Sequence, residues 1–213
     1  MEMRKMTSIE TNQNCGLDIT VIIDRSGSMG SVRDDAIGAF NTFLSDRQKS
    51  DPDALITIVQ FDHKYEVLAN GLSIQEVKPL GRETYVPRGN TALLDAVGKT
   101  IGSIESRAHA ANAILVAILT DGQENASVEW HAGQVRDLIQ EREAKGWDFY
   151  YLSAELSAFN DGRAIGIDPR KISQFRKECM NEAYEKIDDA LLEKKKFLME
   201  QERKRAAEDK MYR

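Results

Sequence analysis

The segment Leu17-Asp18-Ile19-Thr20-Val21-Ile22-Ile23 leads directly into Asp24-Arg25-Ser26-Gly27-Ser28. The first part is rich in β-branched residues and almost continuously apolar, which predicts a central strand covered on both faces. The second part places one carboxylate and two hydroxyls where that strand gives way to a loop. Because residues two apart on an extended loop face the same way, Asp24, Ser26 and Ser28 are expected to share one side. Short oxygen donors on a tight turn suit a small hard cation such as Mg²⁺.

Further apolar runs extend this pattern along the chain. Strands are predicted at Leu55–Phe61, Tyr65–Ala69, Ala113–Leu119 and Trp147–Leu152, and helices at Val32–Asp46, Ala92–Ile104 and around Val135–Ile139. The three-residue link after Phe61 predicts a hairpin whose second strand is antiparallel and at an edge. The alternation elsewhere predicts an α/β fold, with a Rossmann-like open, mainly parallel sheet and helices on both faces.

Two more segments carry oxygen donors at comparable places. They are Gly89-Asn90-Thr91-Ala92-Leu93 and Thr120-Asp121-Gly122. If the first and fourth predicted strands are neighbours, Asp24 and Asp121 reach the same sheet edge, where ligands bind in such folds. Each segment alone is an ordinary turn or helix cap. Together they predict one metal site, and its expected ligands are Asp24, Ser26, Ser28, Thr91 and Asp121.

The three segments resemble the three parts of the metal-ion-dependent adhesion site of the von Willebrand factor A domain family. The resemblance covers roughly residues 17–167, and none of the five ligand positions is substituted. It implies Mg²⁺ as the cofactor, with Mn²⁺ or Ca²⁺ as substitutes. It implies direct bonds from Ser26, Ser28 and often Thr91, whereas Asp24 and Asp121 bind directly or through water. It also implies an open coordination position for an Asp or Glu of a partner protein.

Polar residues beside these ligands are candidates for a rim that selects the partner: Arg25, Asn90, Gln123, Glu124 and Asn125. Polar loop residues of this kind are equally compatible with solvated surface. A weaker likeness, at residues 151–155 and 162–166, is to stand-alone bacterial and phage members of the family.

Composition divides the chain into a polar N-terminal segment, residues 1–15, a main domain, 16–169, and a helical tail, 170–213. The resemblance implies that the main domain is a von Willebrand factor A domain. The tail carries 13 basic and 10 acidic residues within a chain of net charge −6. The acidic main domain disfavours nucleic acid as its partner. No run suits a signal peptide or a membrane span, so a cytoplasmic location is expected. Cys15 and Cys179 form no disulfide or zinc pattern.

Apolar residues of the tail lie three, four or seven apart, which predicts one long amphipathic helix: Ile172, Phe175, Cys179, Ala183, Ile187, Leu191 and Leu198. Two interpretations remain open. Its first half packs on the domain, or the helix docks on a partner or on a second copy.

Three function classes fit these observations. The first is an intracellular adaptor or complex subunit that grips an acidic residue of a partner through Mg²⁺, and it is not an enzyme. The second is a metal-dependent phosphohydrolase, which is disfavoured because position 26 is Ser where a second carboxylate is needed and because His63, His109 and His131 are isolated. The third is a scaffold that acts through its C-terminal helix.

Overall fold

The computed structural model describes residues 16–106, 113–155 and 157–211. The predicted polar segment 1–15, with Cys15, and His109 lie outside the described residues. The strands are β1 Leu17–Asp24, β2 Leu55–Phe61, β3 Tyr65–Ser73, β4 Ala113–Thr120, β5 Asp148–Ser153 and β6 Ile172–Gln174. The α-helices are α1 Arg33–Ser50, α2 Leu93–Glu105, α3 Ala132–Ala144, α4 Ala158–Ala164 and α5 Asn181–Met211.

These strands form one sheet in the order β3-β2-β1-β4-β5-β6. Strand β1 pairs in parallel with both β2 and β4, so the predicted neighbourhood of the first and fourth strands is confirmed. Strand order reverses between β1 and β4, because the chain winds outward in both directions from this pair. Loops that leave the carboxyl ends of β1 and β4 therefore meet at the switch point, where open α/β sheets form their sites.

Helices cover both faces of the sheet, as the α/β prediction requires. One core cluster joins β1 and β4 to α1 and α5, and the other joins the opposite faces of those strands to α2 and α3. All eight positions of β1 and all eight of β4 are buried, which explains their nearly continuous apolar sequences.

The edge strand β3 is antiparallel to β2, as predicted from the short hairpin link. It continues four residues beyond the predicted end at Ala69. Gly71 has φ of +62°, and the register shifts nearby. A left-handed residue is what a bulge of this kind requires, and glycine adopts it without strain.

The prediction of one helix across the whole tail is wrong at its beginning. Residues Ile172–Gln174 form β6, which pairs in parallel with β5 and lengthens the sheet. Helix α5 begins only at Asn181. The apolar residues at the start of the tail lie three, four or seven positions apart. A helix and a short buried strand followed by a turn can both bury apolar residues at these intervals, so the spacing could not distinguish them.

The first half of α5 packs on the body of the domain. Tyr184 lies against Phe40 and Phe43 of α1, with ring centroids 6.1 and 5.2 Å apart. Ile187 and Leu191 are fully buried in the same cluster. Further along, Leu192, Phe197 and Met199 are exposed. In the part of the chain that the structure describes, no helix combines the length and apolar character needed to cross a bilayer.

Candidate metal centre

Asp24 ends β1 as a fully buried carboxylate, and hydrogen bonds fix both of its oxygens. Oδ1 accepts from the backbone N–H of Ser26 at 2.6 Å, and Oδ2 accepts from the Thr120 hydroxyl at 2.6 Å. Burial raises the pKa of Asp24 to about 6, although the bonds from Thr120 and Ser26 lower it. A buried carboxylate with this pKa gains from a nearby cation, because the cation compensates the lost hydration of the charged form.

A chain of short contacts connects the β1 loop to the end of β4. The Ser28 hydroxyl donates to Asp121 Oδ1 at 2.6 Å, and the hydroxyl oxygens of Ser26 and Ser28 are 3.0 Å apart. Because the single Ser28 proton is directed to Asp121, Ser26 is the donor between the two hydroxyls. Asp121 and Ser26 are buried, whereas Ser28 faces solvent. The cluster is thus open on one side.

Thr91 contributes from the third loop, just before α2. A Cβ placed on Gly122 would stand 3.3 Å from Thr91 Oγ1, 3.5 Å from Ser28 Oγ and 3.9 Å from Ser26 Oγ. Three hydroxyl oxygens from two loops therefore surround one small space beside Asp24 and Asp121. The structure brings together all five side chains that the sequence predicted as ligands.

Asp62, after β2, ties the loop after β1 to the loop that contains Thr91. Its buried carboxylate accepts from Arg25 Nε at 3.1 Å and from Arg88 Nε at 2.9 Å. The backbone adds to this clamp, because Gly27 N–H donates to the Gly89 carbonyl at 3.0 Å. Tyr85, also buried, donates its hydroxyl proton to the Asp24 carbonyl at 2.5 Å.

A second clamp holds the loop after β4 against the start of α2. Asn125 Oδ1 accepts from Thr91 N–H at 2.9 Å, and Glu124 Oε2 accepts from Leu94 N–H at 2.9 Å. Asp95 accepts from three successive backbone N–H groups, at 2.8 to 3.1 Å. Although desolvation raises the pKa of Asp95, these donors bring it below its ordinary value. Thr91 is thereby fixed relative to Gly122.

The expected rim needs one correction. Arg25 is not an exposed rim residue, because its side chain is only 3% exposed and pairs with Asp62 and Glu66 beneath the loop. Asn90, Gln123 and Asn125 are exposed, and Glu124 is partly buried in its clamp. A two-residue alternation had placed Arg25 away from the ligands. It could not indicate that the link after β2 supplies the buried carboxylate of Asp62, and β3 the carboxylate of Glu66, to receive the guanidinium.

Lys177 is an unexpected member of the cluster. Its Nζ lies 2.5 Å from Asp121 Oδ2 and donates to the Ser28 carbonyl at 2.7 Å. The sequence carried no signal for this contact, because Lys177 lies 149 residues from Ser28. No sequence pattern marked Asp62 in the hairpin turn as part of the site either. Thr120, by contrast, is adjacent in sequence to the predicted ligand Asp121.

Two of the isolated histidines fall within the described residues, and neither joins the ligands. His63 Nδ1 is 3.3 Å from Asp62 Oδ1, and His131 precedes α3 with its backbone N–H donating to Gln134 at 3.0 Å. In the described ranges, no group of three or more His, Cys, Asp and Glu residues is suited to hold a metal. The candidate centre depends instead on hydroxyls from Ser and Thr alongside two carboxylates.

Neither a protein-family model nor a curated protein matches this sequence. Similarity is found among solved structures. The von Willebrand factor domain of a type V pili tip protein from Porphyromonas gingivalis is 10% identical, with a TM-score of 0.62 over 83% of this chain and 95% of that one.

Two further structures hold metals. Proximal thread matrix protein 1 from the mussel byssus, with a zinc-occupied metal-ion-dependent adhesion site, is 14% identical, with a TM-score of 0.59 over 79% of this chain and 47% of that one. The manganese-loaded TRAP protein of Plasmodium vivax is 18% identical, with a TM-score of 0.58 over 79% of this chain and 71% of that one. The present chain spans about half the length of the mussel protein. At these identities the likeness concerns the fold, and the chain has the fold of von Willebrand factor A domains.

Proposed function

We propose that this protein is a metal-dependent interaction module, in which Mg²⁺ held by the five predicted ligands receives an Asp or Glu side chain of a partner protein. One observation carries this proposal. Three hydroxyl oxygens lie within 4 Å of the position that a Cβ would take on Gly122, beside two buried carboxylates. Oxygen donors that converge in this way from three separate segments are what a hard divalent cation requires.

The donor set fits a hard divalent cation. All five side chains offer oxygen, and Mg²⁺ is commonly bound by a few protein oxygens while it keeps several waters. The two metal-loaded neighbours, with zinc and manganese, support a divalent cation in this fold. We assign Mg²⁺ from the absence of nitrogen and sulfur among the five ligands, and Mn²⁺ and Ca²⁺ serve as substitutes.

The residues at this centre have different roles. Asp24 is held by Ser26 N–H and Thr120, so its carboxylate orients the loop and supplies charge from beneath. Ser26, Ser28 and Thr91 offer hydroxyl ligands, which leave the charge of a bound cation largely uncompensated. When bound, the cation supplies an electrophilic position for an incoming carboxylate. The exposed side chains of Asn90 and Gln123 flank the open side and contact the partner.

We assign the protein to non-catalytic binding. Position 26 is Ser, and the described histidines make structural contacts away from the ligands. A phosphohydrolase needs a group that moves a proton at the reacting atoms. We place the module in the cytoplasm as an adaptor or complex subunit of bacterial or phage origin. This placement follows from the sequence patterns alone.

Isothermal titration of the full chain with Mn²⁺ and Mg²⁺ tests the metal site. We expect one site in the wild-type protein and loss of binding in Asp121→Ala. The matched control is Asp137→Ala on the exposed face of α3, which keeps wild-type affinity. Equal affinity in all three proteins would contradict the assignment of the site.

A second experiment tests the interaction. Partner proteins retained on the immobilised wild-type chain in Mg²⁺ are expected to elute with a chelator and to be absent from Asp121→Ala. The scaffold alternative predicts retention in chelator and loss when residues 201–213 are removed, a truncation that leaves the buried part of α5 intact. Hydrolysis of p-nitrophenyl phosphate that depends on Mg²⁺ and on Asp121 would instead favour the enzyme.

A further inference from the structure

The ammonium of Lys177 lies within the candidate metal centre. It forms an ion pair with Asp121 Oδ2 at 2.5 Å and donates to the Ser28 carbonyl at 2.7 Å. Asp121 Oδ1 also accepts a hydrogen bond from the Ser28 hydroxyl. Both oxygens of this predicted ligand are therefore already bonded within the chain.

Lys177 is held near this position from both sides. It lies in the turn between β6 and α5, where the side chains of Phe175 and Met180 are buried on either side of it. Phe175 N–H also donates to the Ser153 carbonyl at 3.1 Å. The Lys177 side chain itself is 31% exposed, so it has a route to solvent. The chain presents the amine at high local concentration while leaving its long side chain free to swing out.

Asp121 cannot bind a divalent cation and the Lys177 ammonium tightly at the same time. Two positive charges within a few ångströms repel each other by an amount comparable with their attraction to the carboxylate, particularly near a buried site. Each cation that binds Asp121 therefore weakens the other. The Lys177 ammonium compensates the charge of Asp121 in the structure.

From this geometry we infer that Lys177 is a tethered competitor of the metal: its ammonium binds Asp121 in the metal-free protein and must leave before a divalent cation is held tightly. The inference rests on the proposed metal site and adds its regulation. It sets the metal concentration at which the interaction module becomes active. A population-shift argument gives the size of the effect, since a site that is open in about a tenth of the molecules binds roughly tenfold more weakly than a site that is always open.

Titration of the full chain with Mn²⁺ tests the inference. We expect Lys177→Met to bind Mn²⁺ roughly tenfold more tightly than wild type. Lys177→Arg keeps the positive charge and should stay close to wild type. The matched control is Lys186→Met, which removes an exposed ammonium from α5 and should leave the affinity unchanged.

The outcomes separate the inference from the function on which it rests. If wild type and Lys177→Met bind Mn²⁺ equally well, competition by Lys177 is refuted and the metal site stands. If neither protein binds Mn²⁺, the proposed function fails and the competition fails with it. Binding by Lys177→Met alone supports both.

Amine labelling of the wild-type chain gives a second readout that needs no variant. We expect the acetylation rate of Lys177, measured by peptide mass spectrometry, to rise when Mn²⁺ is added, because the ammonium leaves Asp121. Lys186 serves as the internal reference within the same protein. A Lys177 rate that does not change at saturating Mn²⁺ would overturn the inference.

Discussion

Thr120 donates its hydroxyl proton to Asp24 Oδ2 at 2.6 Å, and this bond joins the carboxyl ends of β4 and β1 at the switch point of the sheet. Both side chains are fully buried. The bond therefore sets the distance between the two strand ends from which the carboxylates of the candidate centre come.

Replacing Thr120 by Val tests the importance of this bond. The change keeps the shape of the side chain but leaves Asp24 Oδ2 without its buried donor, so we expect the free energy of unfolding to fall by about 1–3 kcal/mol. Thr20→Val in β1 is the matched control, because the buried Thr20 hydroxyl has no hydrogen-bond partner in the structure. Urea denaturation should show little loss, or a gain, for that variant. A smaller loss for Thr120→Val than for Thr20→Val would contradict the role of the bond.

Gly122 lies beside the point around which the hydroxyls converge, and a Cβ on this residue would occupy that point. Gly122→Ala places a methyl group 3.3 Å from Thr91 Oγ1, within the space that we assign to the cation. We expect Mn²⁺ affinity to fall by roughly 10–100-fold, the range seen when groups around a metal are disturbed.

Gly102→Ala on α2 is the control for that substitution. Apart from its chain neighbours and the adjacent backbone of α2, no atom of the described residues lies within 4 Å of a Cβ at Gly102, and Ala is the better helix residue. This variant should keep its Mn²⁺ affinity and gain about 0.5–1 kcal/mol of stability. Unchanged Mn²⁺ binding by Gly122→Ala would place the cation elsewhere.

Asp62 compensates the buried guanidinium of Arg25. Asp62→Asn removes the buried one of the two carboxylates that pair with Arg25 and leaves only the half-exposed Glu66, so we expect a loss of about 3 kcal/mol in the free energy of unfolding. The exposed ion pair between Asp34 and Arg82 provides the comparison, and Asp34→Asn should change stability little. Thermal and urea unfolding at neutral pH measure both. Equal effects of the two substitutions would show that burial of the Arg25 pair is immaterial.

Asp148 at the start of β5 is bonded to two ammonium groups, from Lys171 at 2.8 Å and from Lys194 on α5. Although desolvation raises the pKa of Asp148, the two lysines bring it below the ordinary value of 3.8. A lowered pKa in the folded state stabilises the fold above the unfolded pKa, and this contribution is lost as pH falls through the folded value.

At neutral pH we therefore expect Asp148→Asn to lower the free energy of unfolding by about 2 kcal/mol. The difference from wild type should shrink as the pH falls below 3.8. Urea denaturation at several pH values measures it, with the exposed Asp137→Asn as control. A difference that stays constant into acid would mean that the Asp148 charge is not the cause.

Periodicity was sufficient for the parallel core of the sheet. The runs in β1 and β4 are so continuously apolar that only a position covered on both faces suits them. A helix-strand alternation then left few ways to order the strands. It could not resolve β6, because a three-residue strand has too few positions to display an alternation.

The positions of the proposed ligands were predictable for a similar reason. Asp24 ends one strand of the central pair and Asp121 directly follows the other, so their places in the sequence nearly determine their places at the sheet edge. The prediction of Thr91 required the further assumption that its loop returns to this edge of the sheet. The backbone bond between Gly27 and Gly89 shows how it does so.

The sequence by itself determined which strands lie at the centre and which oxygen donors follow them, since burial and side-chain alternation are local properties of the chain. Only the tertiary structure decided that Arg25 turns beneath its loop to Asp62 and that Lys177 reaches Asp121. Such pairs depend on electrostatic contacts between segments far apart in the chain, and no periodic pattern marks them.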